Sequence, residues 1–407
     1  MKRYVFFTNS IRNMGGAQMY IRNKALFLKQ HGWTPSVYFY TEGKILIPEL
    51  QEFAGNRIPD LAYPVTAVGK RKRERILKRI CTDLAGAEEC VIESSIYPNC
   101  YWMEEIAKRV KGRNILYILH EGFPQCNEQE ISYLKYKLER RELFNGIEGI
   151  KMRIGKIWEN DNVFLMPSYS NVTAPVDYPL EYDRSHKTIL SIGRLDKPYI
   201  KPMLEEINIF TKNHKVEVNL ILVGGAAEES YINNIKEYLS EKSQIKPYFL
   251  GYMFPVPESI VRASDVAIAS SGSILVPAEM GVPTIAIDIQ DYMAMGVYGC
   301  TTSNTFKRQA EPQLKTADLL EEVLIEGKYT DIEVKPSRAT IDAEKILLDH
   351  LKKIEALDAP KEYFDVFTIY SRKEIIQQKT IMAIYKIFGE SGVEKLVQLK
   401  NKILNNN

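Results

Sequence analysis

Three cations near the middle of the chain follow a short apolar run and could bind phosphate. The stretch SIGRLDKPYIKP places Arg194, Lys197 and Lys201 after the apolar segment that begins at Lys187. Cations at the carboxyl end of a buried strand can clamp a diphosphate and stabilise the negative charge of one that departs. The alternative interpretation is that these side chains are solvated loop charges, as most lysines and arginines are.

A second polar group interrupts a stretch that otherwise has the composition of a core. Ser270–Ser273 form a small polar loop at the end of the apolar run DVAIAS, and Glu279 lies in the helix that we expect to begin at Pro277. Backbone N–H groups of such a loop can hold hydroxyls or phosphate, and the carboxylate can accept a pair of sugar hydroxyls. The alternative is an acid of the first helical turn, which the helix dipole stabilises.

Two glycine pairs follow predicted strands. Gly15 and Gly16 precede the first predicted helix, and Gly224 and Gly225 end the strand in LILVGGAAEES. Glycine allows the backbone to approach a ligand closely, and the start of the following helix favours an anion. The first pair is not part of a GxGxxG motif, so it does not indicate a dinucleotide site. A tight turn is the alternative explanation for each pair.

A basic segment stands apart from these motifs. Seven of the ten residues Lys70–Arg79 are Lys or Arg, with Ile76, Leu77 and Ile80 interspersed. This pattern fits a helix that lies on an anionic membrane surface. A solvated basic helix face is the alternative. Nucleic-acid binding is disfavoured because no aromatic residues are interleaved with the cations.

The composition is that of an ordinary globular protein. The 407 residues are 45% hydrophobic and 26% charged, with a formal net charge of +2, so no strongly charged partner is implied for the whole chain. The odd number of cysteines, with no CxxC pair, argues against a disulfide or zinc framework and fits a reducing compartment. Neither a signal peptide nor a transmembrane run is recognisable. We therefore expect a cytoplasmic protein that can associate peripherally with the inner face of the plasma membrane.

Apolar strands alternate with amphipathic helices along most of the chain, which predicts parallel sheets covered on both faces. We expect a Rossmann-like domain over residues 1–170, a second over 171–355, and a helical tail over 356–407 that packs back on the first domain. Ligands of such sheets bind at the carboxyl ends of the strands. The default site is therefore a cleft that the two domains face.

The order of these motifs resembles the GT-B glycosyltransferases, in particular the large retaining group that includes glycosyltransferase family four. The resemblance covers nearly the whole chain. It is strongest from Lys187 to Asp288, where the stretches GRL, LVGG, FLGY, ASDVAIASS and PAEMGVPTIA follow the family's order. It implies a GT-B fold with two Rossmann-like domains and a helical C-terminal tail.

The resemblance also implies roles for individual residues in the second domain. Arg194 corresponds to the arginine that contacts the donor diphosphate, and Lys201 to its catalytic partner, with Lys197 as the alternative. Glu279 corresponds to the second glutamate of the family's E-x7-E element, which binds the ribose hydroxyls. Gly224 lies where a strand end faces the donor.

In the first domain, the resemblance places Gly15 and Gly16 in the glycine loop that faces the donor phosphates and the acceptor. His120, at the end of the stretch ILYILH, lies where many members have a histidine near the sugar and phosphate. A single histidine at a strand end is otherwise more often structural.

One departure from the family pattern concerns the sugar. The first glutamate of E-x7-E would fall at residue 271, which is Ser271, and the following Gly-Phe-Gly is replaced by Gly272, Ser273 and Ile274. In the family this element contacts the transferred sugar. A serine can still donate to or accept from a hydroxyl, and the N–H groups of the loop remain.

The function implied by the resemblance is a retaining glycosyltransferase of the hexosyltransferase type. Its donor is a nucleotide-diphosphate sugar and its acceptor a hydroxyl of a glycan or lipid-linked molecule, in bacterial-type surface polysaccharide or glycoconjugate synthesis. The sequence contains no DxD, so we expect no metal cofactor, and no nucleic-acid partner. The alternatives are a noncatalytic sugar-nucleotide-binding subunit with this fold, because of Ser271, and a sugar-nucleotide epimerase.

Overall fold

The structure is a computed structural model. It describes residues 1–12, 15–43, 45–94, 99–118, 127–145, 164–165, 173–226, 228–330, 333–334 and 343–405. The chain divides into two compact units. The first comprises Met1–Arg12, Ala17–Tyr169 and Asp342–Asn407, and the second comprises Asn13–Gly16 and Ser170–Ile341.

The first unit contains a parallel sheet. Within the described residues its strands are β1 (Lys2–Thr8), β2 (Trp33–Phe39), β3 (Ala54–Arg57), β4 (Glu89–Ser94), β5 (Arg113–Ile118), β6 (Leu143–Asn145) and β7 (Phe164–Leu165). Their spatial order is β3-β2-β1-β4-β5-β6-β7. In the register of the central pairs, Val5 lies between Ser36 and Ile92. The central strands are nearly continuous apolar runs because both faces of the sheet are covered.

Helices cover this sheet and extend into the C-terminal segment. Those described are α1 (Gly16–Gln30), α2 (Pro48–Phe53), α3 (Lys70–Asp83), α4 (Cys100–Val110), α5 (Glu128–Glu139), α11 (Ala343–Glu355) and α12 (Arg372–Asn405). Single 3₁₀ turns span Pro59–Ala62 and Val366–Thr368. Helix α5 begins with a capping box, in which Asn127 and Glu130 each accept the other's backbone N–H. The core of the unit includes Trp102, Tyr133 and Val366, so the C-terminal segment is part of it.

The element labelled α12 consists of two helices that meet at a kink at Gly389, whose φ is 67°. A left-handed conformation is readily adopted by glycine and interrupts the helical hydrogen bonds. None of the helices in the described part of the chain combines the length and the apolar content that crossing a bilayer requires.

The second unit repeats the same architecture with shorter connections. Its described strands are β8 (Thr173–Ala174), β9 (Lys187–Ile192), β10 (Val218–Val223), β11 (Ile245–Gly251), β12 (Val256–Pro257), β13 (Val266–Ala269), β14 (Thr284–Ile287) and β15 (Ala294–Val297). Its described helices are α6 (Ile200–His214), α7 (Glu229–Ser240), α8 (Glu258–Arg262), α9 (Leu275–Ala278) and α10 (Thr316–Leu324).

The main sheet of this unit has the order β11-β10-β9-β13-β14-β15, and β12 pairs separately with β8. All pairs of the main sheet are parallel except β14 with β15, which is antiparallel. The predicted α/β class, with two doubly wound units and a helical C-terminal tail, is confirmed. The antiparallel edge strand β15 is not predicted by the sequence pattern.

Each sheet has one point at which the strand order reverses. The first unit has it between β1 and β4, and the second between β9 and β13. At such a point the loops that follow the two strands run to opposite sides of the sheet. They leave a crevice outside the carboxyl ends of the strands, where ligands of open α/β sheets bind.

Candidate functional site

The candidate site of the second unit lies at its reversal point. Arg194 follows β9, and Ser270 and Ser271 follow its neighbour β13. The two strands are in direct register, with Ser191 opposite Ile268. The predicted phosphate-binding and sugar-binding segments are therefore brought to adjacent strand ends, although they are far apart in sequence.

Arg194 and Lys197 form a pair of cations in the loop after β9. Arg194 forms an ion pair with Asp196, with Nε 3.2 Å from Oδ1, and its side chain keeps 38% of its surface exposed. Burial lowers the pKa of Lys197, and the positive charge of Arg194 lowers it further, while Asp196 opposes both. The Lys197 Nζ lies 5.7 Å from the centroid of the Tyr199 ring. An anion bound here would relieve the repulsion between the two cations.

Lys201 occupies a different environment from Lys197. It lies in the first turn of α6 with 82% of its side chain exposed, and its Nζ is 3.9 Å from Glu205. Among the described contacts, Lys197 is the lysine that interacts with Arg194. The sequence leaves open which lysine accompanies the arginine, and this geometry favours Lys197, the alternative, over Lys201.

Both lysines line a cavity of about 550 Å³ beside this loop. Its other walls come from the apolar start of α6 and from one face of α7, which presents Tyr231, Asn234 and Tyr238. Arg194 does not line it. The cavity therefore lies on the helix side of the cation pair, where aromatic and apolar surface is available to a ligand that the cations hold.

Gly224 is required by packing at the strand ends. Its φ is 147°, and a Cβ at this position would lie 1.8 Å from the carbonyl oxygen of Gly193. Its N–H donates to Gly251 O at 2.7 Å. A Cβ on Gly225 would lie 2.5 Å from the ring of Tyr252. The structure thus supplies a turn-geometry reason for this glycine pair, and the Gly224 N–H is engaged within the protein.

The loop after β13 is held in a specific conformation. Ser271 has a φ of 59°, which is uncommon for a residue other than glycine, and its N–H donates to Thr305 O at 2.7 Å. A 3₁₀ turn, Ser271–Ile274, then leads directly into α9. Ser271, Gly272 and Ser273 keep exposed surface, whereas the side chain of Ile274 is buried. Ile274 could therefore contact a ligand only through its backbone.

The helix at Glu279 differs from the prediction. Helix α9 begins at Leu275, not at Pro277, and Glu279 is its C-cap, with its N–H donating to Leu275 O at 3.0 Å. The expectation that Glu279 lies in a first helical turn is wrong, so stabilisation by the positive end of the helix dipole does not explain it. Burial raises the pKa of Tyr298, and the charge of Glu279 raises it further, which places the two side chains near one another.

The other glycine pair lies where β1, a strand of the first reversal point, leads into α1. Gly15 precedes α1 and Gly16 is its first residue, and the segment Asn13–Gly16 is grouped with the second unit. A Cβ at Gly16 would meet nothing within 4 Å, so packing does not require glycine there, in contrast to Gly224. His120 lies outside the described residues.

Two further residues near the predicted site residues are not predicted from the sequence. Asp196 forms an ion pair with Arg194, and its position directly after GRL is a signal that could have indicated it. Tyr298 neighbours Glu279, but the two are separated by a strand, and no local pattern connects them.

The basic segment forms α3, and its apolar residues do not face solvent. Ile76, Leu77 and Ile80 are buried in the core of the first unit. The guanidinium carbon of Arg73 lies 4.4 Å from the centroid of the Phe367 ring. Ile76, Leu77 and Ile80 therefore do not supply apolar contact with a membrane, and the membrane-surface interpretation of α3 stays a prediction that rests on its cations. Most of its other cations remain exposed.

Solved structures resemble this chain over most of its length. HepE from Anabaena, with UDP and glucose bound, matches with a TM-score of 0.56 at 12% identity, over 88% of this chain and 100% of HepE. The pneumococcal O-GlcNAc transferase GtfA, with UDP and GlcNAc, matches with a TM-score of 0.53 at 10% identity, over 88% and 99%. A Listeria monocytogenes protein described as a UDP-N-acetylglucosamine 2-epimerase matches with a TM-score of 0.51 at 12% identity, over 90% and 100%.

These similarities show that the chain has the GT-B fold, as the sequence predicts. At such low identity they do not show a family. No family model matches the chain, and the search of curated proteins returned no match. The same fold is matched by a transferase and by a protein described as an epimerase, so the chemistry has to be argued from the site.

Proposed function

We propose that this protein is a retaining glycosyltransferase similar to family four. It would transfer a sugar from a nucleotide-diphosphate donor to a hydroxyl of a glycan or lipid-linked acceptor. The observation that carries the proposal is that Arg194 and Lys197, after β9, and the Ser271–Ser273 loop, after β13, lie at adjacent strand ends of the second sheet's reversal point. The two cations can bind a diphosphate, the polar loop can contact a sugar, and the carboxylate of Glu279 can accept the hydroxyls of a ribose.

In this proposal the diphosphate lies against Arg194 and Lys197. An ion pair with Asp196 keeps the guanidinium of Arg194 near this position before the ligand arrives, so little reorganisation would be needed when negative charge develops on the leaving diphosphate. Arginine can bind two phosphate oxygens at once, whereas lysine acts as a point charge. The cations would thus stabilise the departing nucleoside diphosphate more than the intact donor, which is the condition for catalysis.

The remaining groups would orient the donor. Glu279 would accept hydrogen bonds from the two ribose hydroxyls, and Ser271 and Ser273 would contact the sugar where the family has an acid and a glycine loop. A serine hydroxyl cannot provide the charge of a carboxylate, so sugar contacts at this position would be weaker. No metal is part of the proposal, because the cations can neutralise the diphosphate.

A sugar-nucleotide epimerase is the second candidate, and the match to the Listeria protein favours keeping it. It would use the same nucleotide contacts, but its products would differ. A transferase releases a nucleoside diphosphate and forms a new glycosidic bond. An epimerase returns a nucleotide sugar with one inverted carbon.

The test is an incubation with UDP-, GDP- and dTDP-sugars, with and without hydroxyl acceptors, followed by chromatography and mass spectrometry. We expect one donor to give a nucleoside diphosphate and a sugar-extended acceptor. Conversion of a donor to its epimer would replace the proposal with the second candidate. Tight nucleotide binding with no product in any mixture would identify a noncatalytic subunit. Exchanging the exposed Glu237 for Gln serves as the control variant that should leave every outcome unchanged.

A further inference from the structure

Helix α12 leaves an apolar face uncovered on the first unit. Five large side chains within thirteen residues of its first half are exposed: Ile376, Ile381, Tyr385, Ile387 and Phe388. Ile387 alone keeps 73% of its surface. Elsewhere in the described part of the chain, exposed large apolar side chains are scattered singly, which is normal for a soluble surface. A concentration of this kind marks an interaction surface.

The opposite face of α12 is already attached to the first unit. Gln378 accepts a hydrogen bond from Thr66, at 3.1 Å, and Met382 packs against the core cluster of the unit. Lys386 lies over the ring of Tyr63 at 5.4 Å. Helix α12 is therefore held on the first unit by a mixed polar and apolar face, while large apolar side chains remain exposed on the rest of its surface. Exposed apolar side chains in this number are typical of a second contact surface.

Cations surround this apolar face. On α12 itself, Arg372, Lys373 and Lys379 are exposed, whereas the carboxylate of Glu374 is engaged by the Ser371 N–H at 2.7 Å. The cations of α3 lie on the same side of the unit, because Asp60 is within 2.8 Å of Lys72 Nζ and 3.8 Å of Lys386 Nζ.

The exposed cations of α3 greatly outnumber its acids. They are Lys70, Arg71, Lys72, Arg75, Lys78 and Arg79. Both acids of α3 are engaged, since Glu74 is paired with Arg109 at 3.1 Å and Asp83 accepts a hydrogen bond from the Tyr38 hydroxyl at 3.0 Å. Apolar side chains that can enter the acyl region, bordered by cations that can reach phosphate groups, are the two elements of a peripheral membrane site.

We propose that the exposed face of α12, together with the basic face of α3, docks this protein on an anionic phospholipid bilayer. Charge complementarity selects this occupant. A second copy bound symmetrically through the same face would bring two basic surfaces together, and like charges in an interface oppose association. A bilayer rich in anionic lipid satisfies both the cations and the apolar side chains. The buried Ile76, Leu77 and Ile80 take no part, and α12 supplies the apolar contact in their place.

The test is co-sedimentation of the whole protein with vesicles of phosphatidylglycerol and phosphatidylcholine, compared with phosphatidylcholine alone. The double variant Lys70→Ser with Arg71→Ser should bind anionic vesicles about 30-fold more weakly, at about 1 kcal/mol per cation. The double variant Ile376→Ser with Ile387→Ser should lose roughly tenfold or more, because apolar area is removed from the contact. All four side chains are exposed, so folding should be unaffected, which thermal unfolding checks.

Matched controls come from the second unit. Ile209→Ser with Ile325→Ser removes two isoleucines that keep 44% and 48% of their surface exposed, and Lys212→Ser with Lys246→Ser removes two exposed cations. Both controls should bind as the parent does. Equal losses in test and control variants, or equal binding to neutral vesicles, would overturn the proposal. The proposal would also be overturned if the protein formed an oligomer without lipid and the variant Ile376→Ser with Ile387→Ser dissociated that oligomer. Vesicle binding needs no donor or acceptor, so its outcome is separate from that of the transfer assay.

Discussion

In the first unit, Lys137 has no exposed surface and lies between two carboxylates, with Glu104 at 2.6 Å and Glu142 at 2.8 Å. Lys24 is buried in the same way against Glu93, at 2.7 Å. In the second unit, among the described residues, Asp288 is a buried carboxylate that accepts backbone N–H groups at 2.7 Å, whereas Arg194, Lys197 and Glu279 keep exposed surface. The first unit thus buries lysines together with their carboxylates, and the candidate site of the second unit leaves its charged groups accessible.

This difference separates structural charge from charge that is available to a ligand. Glu93 also accepts hydrogen bonds from Tyr20, at 2.9 Å, and from Tyr4, so its oxygens are used within the protein. A buried network whose hydrogen bonds are all made within the protein has few groups left to bind a substrate. Removing one member leaves a buried charge without compensation. The cations after β9, by contrast, repel each other until an anion arrives. Variants of the buried network should therefore change the free energy of unfolding, whereas variants of the cations after β9 should change turnover.

The largest effect is expected for Lys137→Met. It leaves Glu104 and Glu142 buried without their cation and should lower the free energy of unfolding by about 3–5 kcal/mol, measured by chemical denaturation. The control Lys201→Met, at an exposed site, should change it by no more than about 0.5 kcal/mol. Equal losses in the two variants would contradict the distinction between the units.

The same network predicts a direction with pH. Burial raises the pKa of Glu104, but Lys137 and hydrogen bonds from Asn114 and the Phe364 N–H together hold it below its ordinary value of 4.5. A lowered pKa means that the contribution of this carboxylate to stability is present above 4.5 and lost as the pH falls through the lowered value. Chemical denaturation at a series of acidic pH values measures this, and Lys137→Met should reduce the dependence.

The next effect is on turnover. Arg194→Ala should reduce kcat about 100- to 1,000-fold, because a preoriented group that stabilises the leaving diphosphate is lost, while the unfolding midpoint should barely move. Lys197→Ala should reduce kcat more than Lys201→Ala, because Lys197 is the lysine beside Arg194. The exposed Arg262 provides the control, Arg262→Ala. The reverse order of the two lysine variants would restore Lys201 as the partner.

Substitutions at Gly224 and Gly16 distinguish a glycine that packing requires from one that allows a ligand to approach the backbone. Gly224→Ala should lower the stability of the second unit by about 2 kcal/mol, since the new Cβ collides with the Gly193 carbonyl. Gly327→Ala, at a φ of 67° with open space around it, should cost only about 1 kcal/mol. Gly16→Ala should leave thermal unfolding unchanged and impair turnover instead. A loss of stability at Gly16 equal to that at Gly224 would remove the distinction.

The smallest effect concerns nucleotide affinity. Glu279→Gln should raise the Kd for the donor nucleotide about tenfold, corresponding to about 1.4 kcal/mol, because a neutral amide accepts the ribose hydroxyls less strongly. Titration calorimetry measures it, with Glu237→Gln as the matched surface control. An unchanged Kd would show that Glu279 does not contact the ribose and that it interacts only with groups of the protein near Tyr298.

The sequence is sufficient to predict the helices and strands and to identify the strand ends that carry polar groups. Alternation of apolar strands with amphipathic helices is a local property, so the strands before Arg194, Gly224 and Ser271 can be read directly. The start of α9 is predicted less well. Pro277 is a strong helix-start signal, but the 3₁₀ turn over Ser271–Ile274 leads the chain into the helix two residues earlier.

What the sequence by itself determines is therefore the α/β alternation, the motif order, and the absence of an acid at Ser271. The tertiary structure decides which groups meet. It gives Gly224 a packing role against Gly193, and it buries Ile76, Leu77 and Ile80 while leaving Ile387 exposed. These outcomes depend on contacts between residues distant in sequence, and burial, like charge pairing, is a property of such contacts and not of local pattern.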